Sequence, residues 1–166
     1  IEALRANLID VAVVTSPFSD KTGLNINVIK KLQDIVAAGN GFSYLKDKEI
    51  SLHELVKYPL ICLKNTTTTR NYLDHIFRQH NLLLRPDIEL TSINFVMPMV
   101  KNNLGIGFMQ YATTKAEIEA GNIFRVNIKE QIPPRSICAV TASQYETPEP
   151  VQRFIDSLLE KESVGV

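Results

Sequence analysis

Short apolar runs alternate with amphipathic helical stretches along this chain, and that alternation most restricts the fold. Residues 8–16 read LIDVAVVTS, a brief apolar run of the kind found in strands covered on both faces. INVI, DIVAA, PLICL, PDIEL, LGIGFM, IFRVNI and RSICAVTA repeat the theme, with short links between them. Helical signals fall in the gaps. Ser51 and Glu54 are spaced as a capping box, with Ile50 placed to staple onto Leu55. Residues 71–79 carry Tyr72, Leu73, Ile76 and Phe77 on one face. Ser92 reads as a cap for a helix burying Ile93, Val96, Met97 and Val100, with Pro98 expected to kink or shorten it. Thr114 and Glu117 read as a second capping box, opening a helix that ends at Gly121. The last helix starts at Thr147-Pro148, with a predicted buried stripe of Val151, Phe154, Ile155, Leu158 and Leu159.

Strands alternating with helices predict an α/β chain with parallel or mixed sheets. In such sheets ligands bind beyond the carboxyl ends of strands, where helix N-termini point. Two hydroxyl-rich segments occupy such ends: Thr15-Ser16 after DVAVV, and residues 65–69, NTTTT, after PLICL. A helix N-terminus offers unsatisfied N–H groups and about half a positive charge. Threonine hydroxyls add neutral donors that rotate to fit an oxygen. One reading is therefore a site for a small anion such as a carboxylate or sulfate; the other is a polar turn with one capping residue. Arg70 is poorly placed for the helix dipole, which makes sense where an anion or an acidic side chain neutralises it.

At 166 residues the chain can build one good core or two small lobes. Lysine plus arginine equals aspartate plus glutamate at 18 each, which argues against this segment holding nucleic acid by itself. Lys30-Lys31 is the adjacent basic pair of note, and it reads as a solvated strand end. No apolar run approaches the roughly 20 residues that span a bilayer. Cys62 and Cys138 lie in apolar runs and read as buried free thiols, with no metal, cofactor or disulfide implied. A reducing cytoplasm fits that reading. His53-Glu54 begins like a zinc-protease motif, but Lys57 holds the second histidine position. Gly105-Ile106-Gly107 lacks the third glycine of a dinucleotide fingerprint, since Gln110 stands there. No catalytic site is read. The first residues form a helix with no cap before it, as expected of a chain that begins partway through a domain.

The order of several segments resembles the effector-binding domain of LysR-type transcriptional regulators. LRANLIDVAVVTSP is similar to the family's helix end, strand and polar loop. ISLHELVKYPLICL and NTTTTRNYLDHIFRQHNLLLRPDIEL resemble the helix, strand, turn and helix that family members write around G-S-x-T-R. VKNNLGIGFMQ and TPEPVQRFIDSLLE resemble the later glycine-entered strand and closing helix. Three features depart from the pattern: Thr67 replaces the usual serine, Gln110 replaces the usual proline, and Pro98 is unusual.

The resemblance implies a two-lobed, type-two periplasmic-binding-protein-like α/β fold with mixed sheets flanked by helices and an incomplete lobe one. Lobe one would hold residues 1–29 and 142–166, and lobe two residues 30–141. It implies a small-molecule effector, a small anion, in the interlobe cleft, with Thr15 and Ser16 contributing from lobe one and Thr67 and Thr69 from lobe two. Gly107 and Phe108 would flank its apolar side. It also implies a homodimer or tetramer in the cytoplasm, no membrane contact, and DNA binding only through an absent N-terminal helix-turn-helix. The alternatives are a transporter's solute-binding protein with the same fold, discriminated by a signal peptide upstream, and an enzyme on that fold, discriminated by turnover of a candidate ligand.

Overall fold

In the computed structural model, which describes residues 1–18 and 20–163, the elements run in chain order as follows. First come α1 (Glu2–Arg5), β1 (Ala12–Thr15), β2 (Leu24–Leu32) and β3 (Asp34–Gly39), then a 3-10 helix at Asn40–Leu45 and β4 (Glu49–Ile50). Next are α2 (Leu52–Leu55), β5 (Leu60–Leu63), α3 (Thr68–Gln79) and β6 (Ile88–Leu90), then a 3-10 turn at Ile93–Phe95 and α4 (Val96–Lys101). The chain ends with β7 (Ile106–Gln110), α5 (Tyr111–Glu119), β8 (Ile123–Ile128), β9 (Arg135–Ala142) and α6 (Glu149–Ser163). Two compact units result: Ile1–Leu32 with Pro134–Val166, and Gln33–Pro133. The expected division into 1–29 with 142–166 and 30–141 differs from this, because β9 pairs along the whole of β2, from Leu24 against Ala142 to Leu32 against Arg135. That antiparallel ladder keeps both strands in the first unit.

The first unit is built on a three-stranded antiparallel sheet in the order β1-β9-β2. Successive side chains of a strand face opposite sides, so Cys138, Val140 and Ala142 share one face, where Leu4 of α1 packs with Ala12, Val14, Leu24 and Ile26. α6 packs against β2. Its Ile155 is buried, but Phe154, expected in the same stripe, is 43% exposed. β2 is an edge strand of that sheet, and of the five apolar positions Phe154 is the one left exposed.

The second unit has a six-stranded mixed sheet in the order β4-β8-β3-β7-β5-β6. β5 runs parallel to both β6 and β7, while β3 is antiparallel to β7 and β8. Both faces are covered, which is why DIVAAG in β3 is buried throughout. Val36 and Ala38 meet Tyr72, Leu73, Ile76 and Phe77 of α3 on one side. Ile35 and Ala37 meet Val96 and Val100 of α4 on the other. Each such aliphatic or aromatic side chain contributes about 1.5–3 kcal/mol by leaving water. Phe77 and Phe108 add an edge-on contact with ring centroids 5.9 Å apart.

Local chemistry sets the helix ends. Ser51 and Glu54 form the expected capping box, and Ile50 and Leu55 are buried in one cluster. The Ser51 N–H on the Glu54 carboxylate holds that group below its usual pKa. Gly121, with φ of +73°, closes α5: its N–H donates to Ile118 O and that of Asn122 to Glu117 O. Asparagines do the same work after three other helices, with positive φ at Asn7, Asn81 and Asn103. Pro98 goes with a shortened element: the chain splits into the 3-10 turn and α4, leaving Pro98 in the first turn of α4, where no intrahelical N–H is required. One expectation fails: Thr114 does not cap, because α5 begins at Tyr111, and the buried Thr114 hydroxyl donates back to Gln110 O and Tyr111 O.

Candidate functional site

Because β5, β6 and β7 run in the same direction, their carboxyl ends at Leu63, Leu90 and Gln110 lie on one edge of the second unit's sheet. The Lys64 N–H donates to Leu90 O at 2.9 Å, which sets the first two loops side by side. Three helical segments start from this edge: α3 at Thr68, the 3-10 turn at Ile93, and α5 at Tyr111. The threonine run is the turn between β5 and α3.

The turn resolves the roles of its hydroxyls. Thr67 is the N-cap, with extended φ of −92° and ψ of 145°. Its Oγ1 accepts from Arg70 N at 3.2 Å and donates its proton to Lys64 O at 2.8 Å. The Thr67 N–H also donates to Lys64 O, at 3.0 Å. The proton of that hydroxyl is thus used within the turn. Thr69 is half-buried, while Asn65, Thr66 and Thr68 are exposed. The cap takes the N–H of the third helical residue; the N–H groups before it belong to the set a helix leaves without intrahelical partners.

Arg70 answers the dipole question with acidic side chains. Its side chain is 7% exposed; Nε lies 3.0 Å from Asp74 Oδ1 and one terminal nitrogen 2.7 Å from Glu89 Oε1. It donates also to Leu63 O at 3.1 Å and Leu84 O at 3.2 Å. Burial works to lower the pKa of the guanidinium, but the hydrogen bonds it donates to Glu89 and Asp74 outweigh that and hold the group above its ordinary value. Nearby Cys62 is pushed up to about 12, first by burial, with Arg70 acting in the opposite direction. Asp74 was legible as an i, i+4 partner of Arg70; Glu89, nineteen residues on, carried no local signal.

Four other expected positions lie on β7 and at the end of β1. Phe108 is a core residue at 5% exposure, and Gly107 is the buried second residue of β7. A Cβ on Gly107 would lie 2.7 Å from Val100 Cγ2 and 2.9 Å from Val96 Cγ1, so its role is to let α4 approach the sheet. In the first unit, Thr15 ends β1 opposite Ile137. Ser16 follows, its N–H donating to Ser136 O at 2.7 Å and its Oγ accepting from Ser136 N at 2.8 Å. A shallow pocket in that unit, lined by Asp10, Thr141 and Glu146 among others, lies at the opposite end of β1 from Thr15, and its two carboxylates repel an anion. Among the described residues no group of three or more His, Cys, Asp or Glu could hold a metal ion, and no helix is long and apolar enough to cross a membrane.

The family described as LysR substrate binding domain matches residues 1–163. The HTH-type transcriptional activator CmpR of Synechocystis sp. (strain ATCC 27184 / PCC 6803 / Kazusa) is 30% identical over 111 residues, covering 66% of this chain and 36% of that protein. The chain thus spans about a third of the length of that curated relative. The regulatory domain of CcmR from Synechocystis PCC6803, in complex with 2-PG, superposes with a TM-score of 0.79 at 18% identity, over 98% of this chain and 78% of that one. The effector-binding domain of QuiR, in complex with shikimate, gives 0.74 at 18% identity, over 98% and 76%. These structures share the fold.

Proposed function

Because the chain belongs to the LysR substrate-binding-domain family, we propose that it senses a small anionic metabolite and thereby controls transcription. It is a LysR-type effector-binding domain of two-lobed, periplasmic-binding-protein-like architecture. The observation that carries the anion reading is the capped N-terminus of α3 at the shared carboxyl edge of β5, β6 and β7. There, helix N–H groups and the hydroxyl of Thr68 supply hydrogen-bond donors without a mobile cation, and the helix dipole favours negative charge. The bound molecules named for two relatives, 2-PG and shikimate, support a small polar effector, and shikimate is a carboxylate. Occupancy acts by differential affinity for two states of the protein. The regulator works in the cytoplasm as a homodimer or tetramer and reaches DNA through a helix-turn-helix domain; the effector is bound and released unchanged.

The test is a thermal-shift screen of this chain against small carboxylates, sulfate, phosphate and aromatic acids, run beside Thr68→Pro. Proline is well suited to the first helical position, and the extended backbone of Thr67 accepts a following proline, so the variant removes one N–H and one hydroxyl while keeping the cap. A ligand at about 100 times its dissociation constant adds about 2.7 kcal/mol, or roughly 5–10 °C for a chain of this size. The shift is expected for wild type and lost in Thr68→Pro. A wild type indifferent to every anion, or a shift that survives the variant, refutes the anion reading of this turn.

A further inference from the structure

We infer that Arg70 is a positioning residue that fixes the shape of the 65–69 turn by tying it to β6. The inference deepens the proposed function, since it concerns the same turn. Four of the guanidinium's N–H groups reach acceptors on four segments: Leu63 O at the end of β5, Asp74 in the next turn of α3, Leu84 O in the link after α3, and Glu89 in the middle of β6. The planar fork of arginine can span such acceptors at once; a lysine cannot. The arrangement is unfavourable by two ordinary criteria. A buried charge is expensive unless every donor is met, and a cation in the first helical turn opposes the dipole. Both are tolerated here because two carboxylates and two carbonyls converge on one side chain.

The consequence is local order in the turn. Thr67 ties the turn to Lys64 through its hydroxyl and its N–H, and Lys64 in turn bonds Leu90. Arg70 closes that circuit from beneath, because its own N–H is the one Thr67 caps while its side chain holds Glu89 of the neighbouring strand. With the clamp intact, the first N–H groups of α3 and the exposed hydroxyl of Thr68 keep fixed directions. The two carboxylates also leave Arg70 no charge to offer a ligand, so the residue acts through geometry and not as an ion-pair partner.

The test is amide hydrogen exchange of this chain without ligand, comparing Arg70→Lys, Glu89→Gln and Asp74→Asn with wild type. The reporters are the N–H groups of Lys64, Thr67, Arg70 and Asn71, read against those of β7, which register overall stability. Arg70→Lys is expected to speed exchange at the reporters about tenfold more than in β7, and Glu89→Gln to do so to a smaller degree; Glu89→Gln also serves if Arg70→Lys does not fold. Equal acceleration at the turn and in β7, or none at the turn, overturns the inference, because a merely stabilising ion cluster gives that result. The measurement needs no ligand, so it stands apart from the anion screen. Where that screen yields a ligand, its Kd is expected to rise about tenfold in Arg70→Lys, and an unchanged Kd with a loosened turn overturns the link to binding.

Discussion

Replacing Gly107 with alanine tests whether that glycine exists for packing. Its φ is not among the positive ones, so alanine is allowed by the backbone and gains about 0.4–1 kcal/mol by restricting the unfolded chain. Against this, the new methyl meets Val100 Cγ2 at 2.7 Å and Val96 Cγ1 at 2.9 Å, where ordinary carbon contacts lie at about 3.5–4.0 Å. Overpacking of this kind costs about 1–3 kcal/mol, so the net expectation is a loss of about 1–2 kcal/mol. Val100→Ala alone removes two methyl groups from a fully buried site, about 1.6 kcal/mol of transfer and about 2–3 kcal/mol once the cavity is included. In the double variant the alanine methyl enters the space that Cγ2 vacates. The two losses then sum to about 1 kcal/mol more than the double variant shows. Urea unfolding at constant slope reads all four proteins. Additivity within about 0.5 kcal/mol, or a Gly107→Ala protein as stable as wild type, would refute the packing account.

Thr67→Ala should lower stability by about 1 kcal/mol through loss of the cap, and Thr67→Ser should restore most of it, both read from urea midpoints. Asn81→Gly and Asn103→Gly ease the same left-handed conformation, but Asn103 Oδ1 also accepts the Gly41 N–H at 2.6 Å. The Asn103 variant should therefore be the less stable of the two by about 1 kcal/mol; equal stabilities would show that bond to be worth nothing. Cys62 gives a pH dependence whose sign is fixed. Its folded pKa, about 12, lies above the unfolded value of 9.0, so its contribution is whole below about pH 9 and is lost as pH rises toward the folded value, by up to about 1.4 kcal/mol per unit. Unfolding at about pH 8 and about pH 10.5 should show a smaller decline for Cys62→Ala than for wild type; identical declines would remove Cys62 from the account.

What was legible in the sequence was mostly local. The capping box of Ser51 and Glu54 needs only four consecutive residues, and the buried stripe of α3 needs only its own period; both stand in the structure. Apolar runs such as LICL are buried because helices lie on both faces of the second sheet. Failures came where a distant partner decides. Thr114 with Glu117 matches a capping box as well as Ser51 with Glu54 does, but the cap falls at Gln110, where β7 ends, and the helix starts at Tyr111. Phe154 has the spacing of a core residue, yet it is left exposed on α6. The site divides the same way. A hydroxyl-rich turn at a helix start could be read directly, whereas Thr67 as its cap, Glu89 as the counter-charge of Arg70, and Gly107 with Phe108 as core all depend on contacts that sequence spacing does not encode.

The turn before α3 is held from the inside. Thr67 and Arg70 face inward to carbonyls and carboxylates, and Asn65, Thr66 and Thr68 face outward. Exposed positions of this kind exchange side chains for about 0.5 kcal/mol or less, so the outward face can be rewritten while the scaffold beneath it stays the same. Small steps at these three positions therefore change the outward chemistry of the turn without threatening the fold.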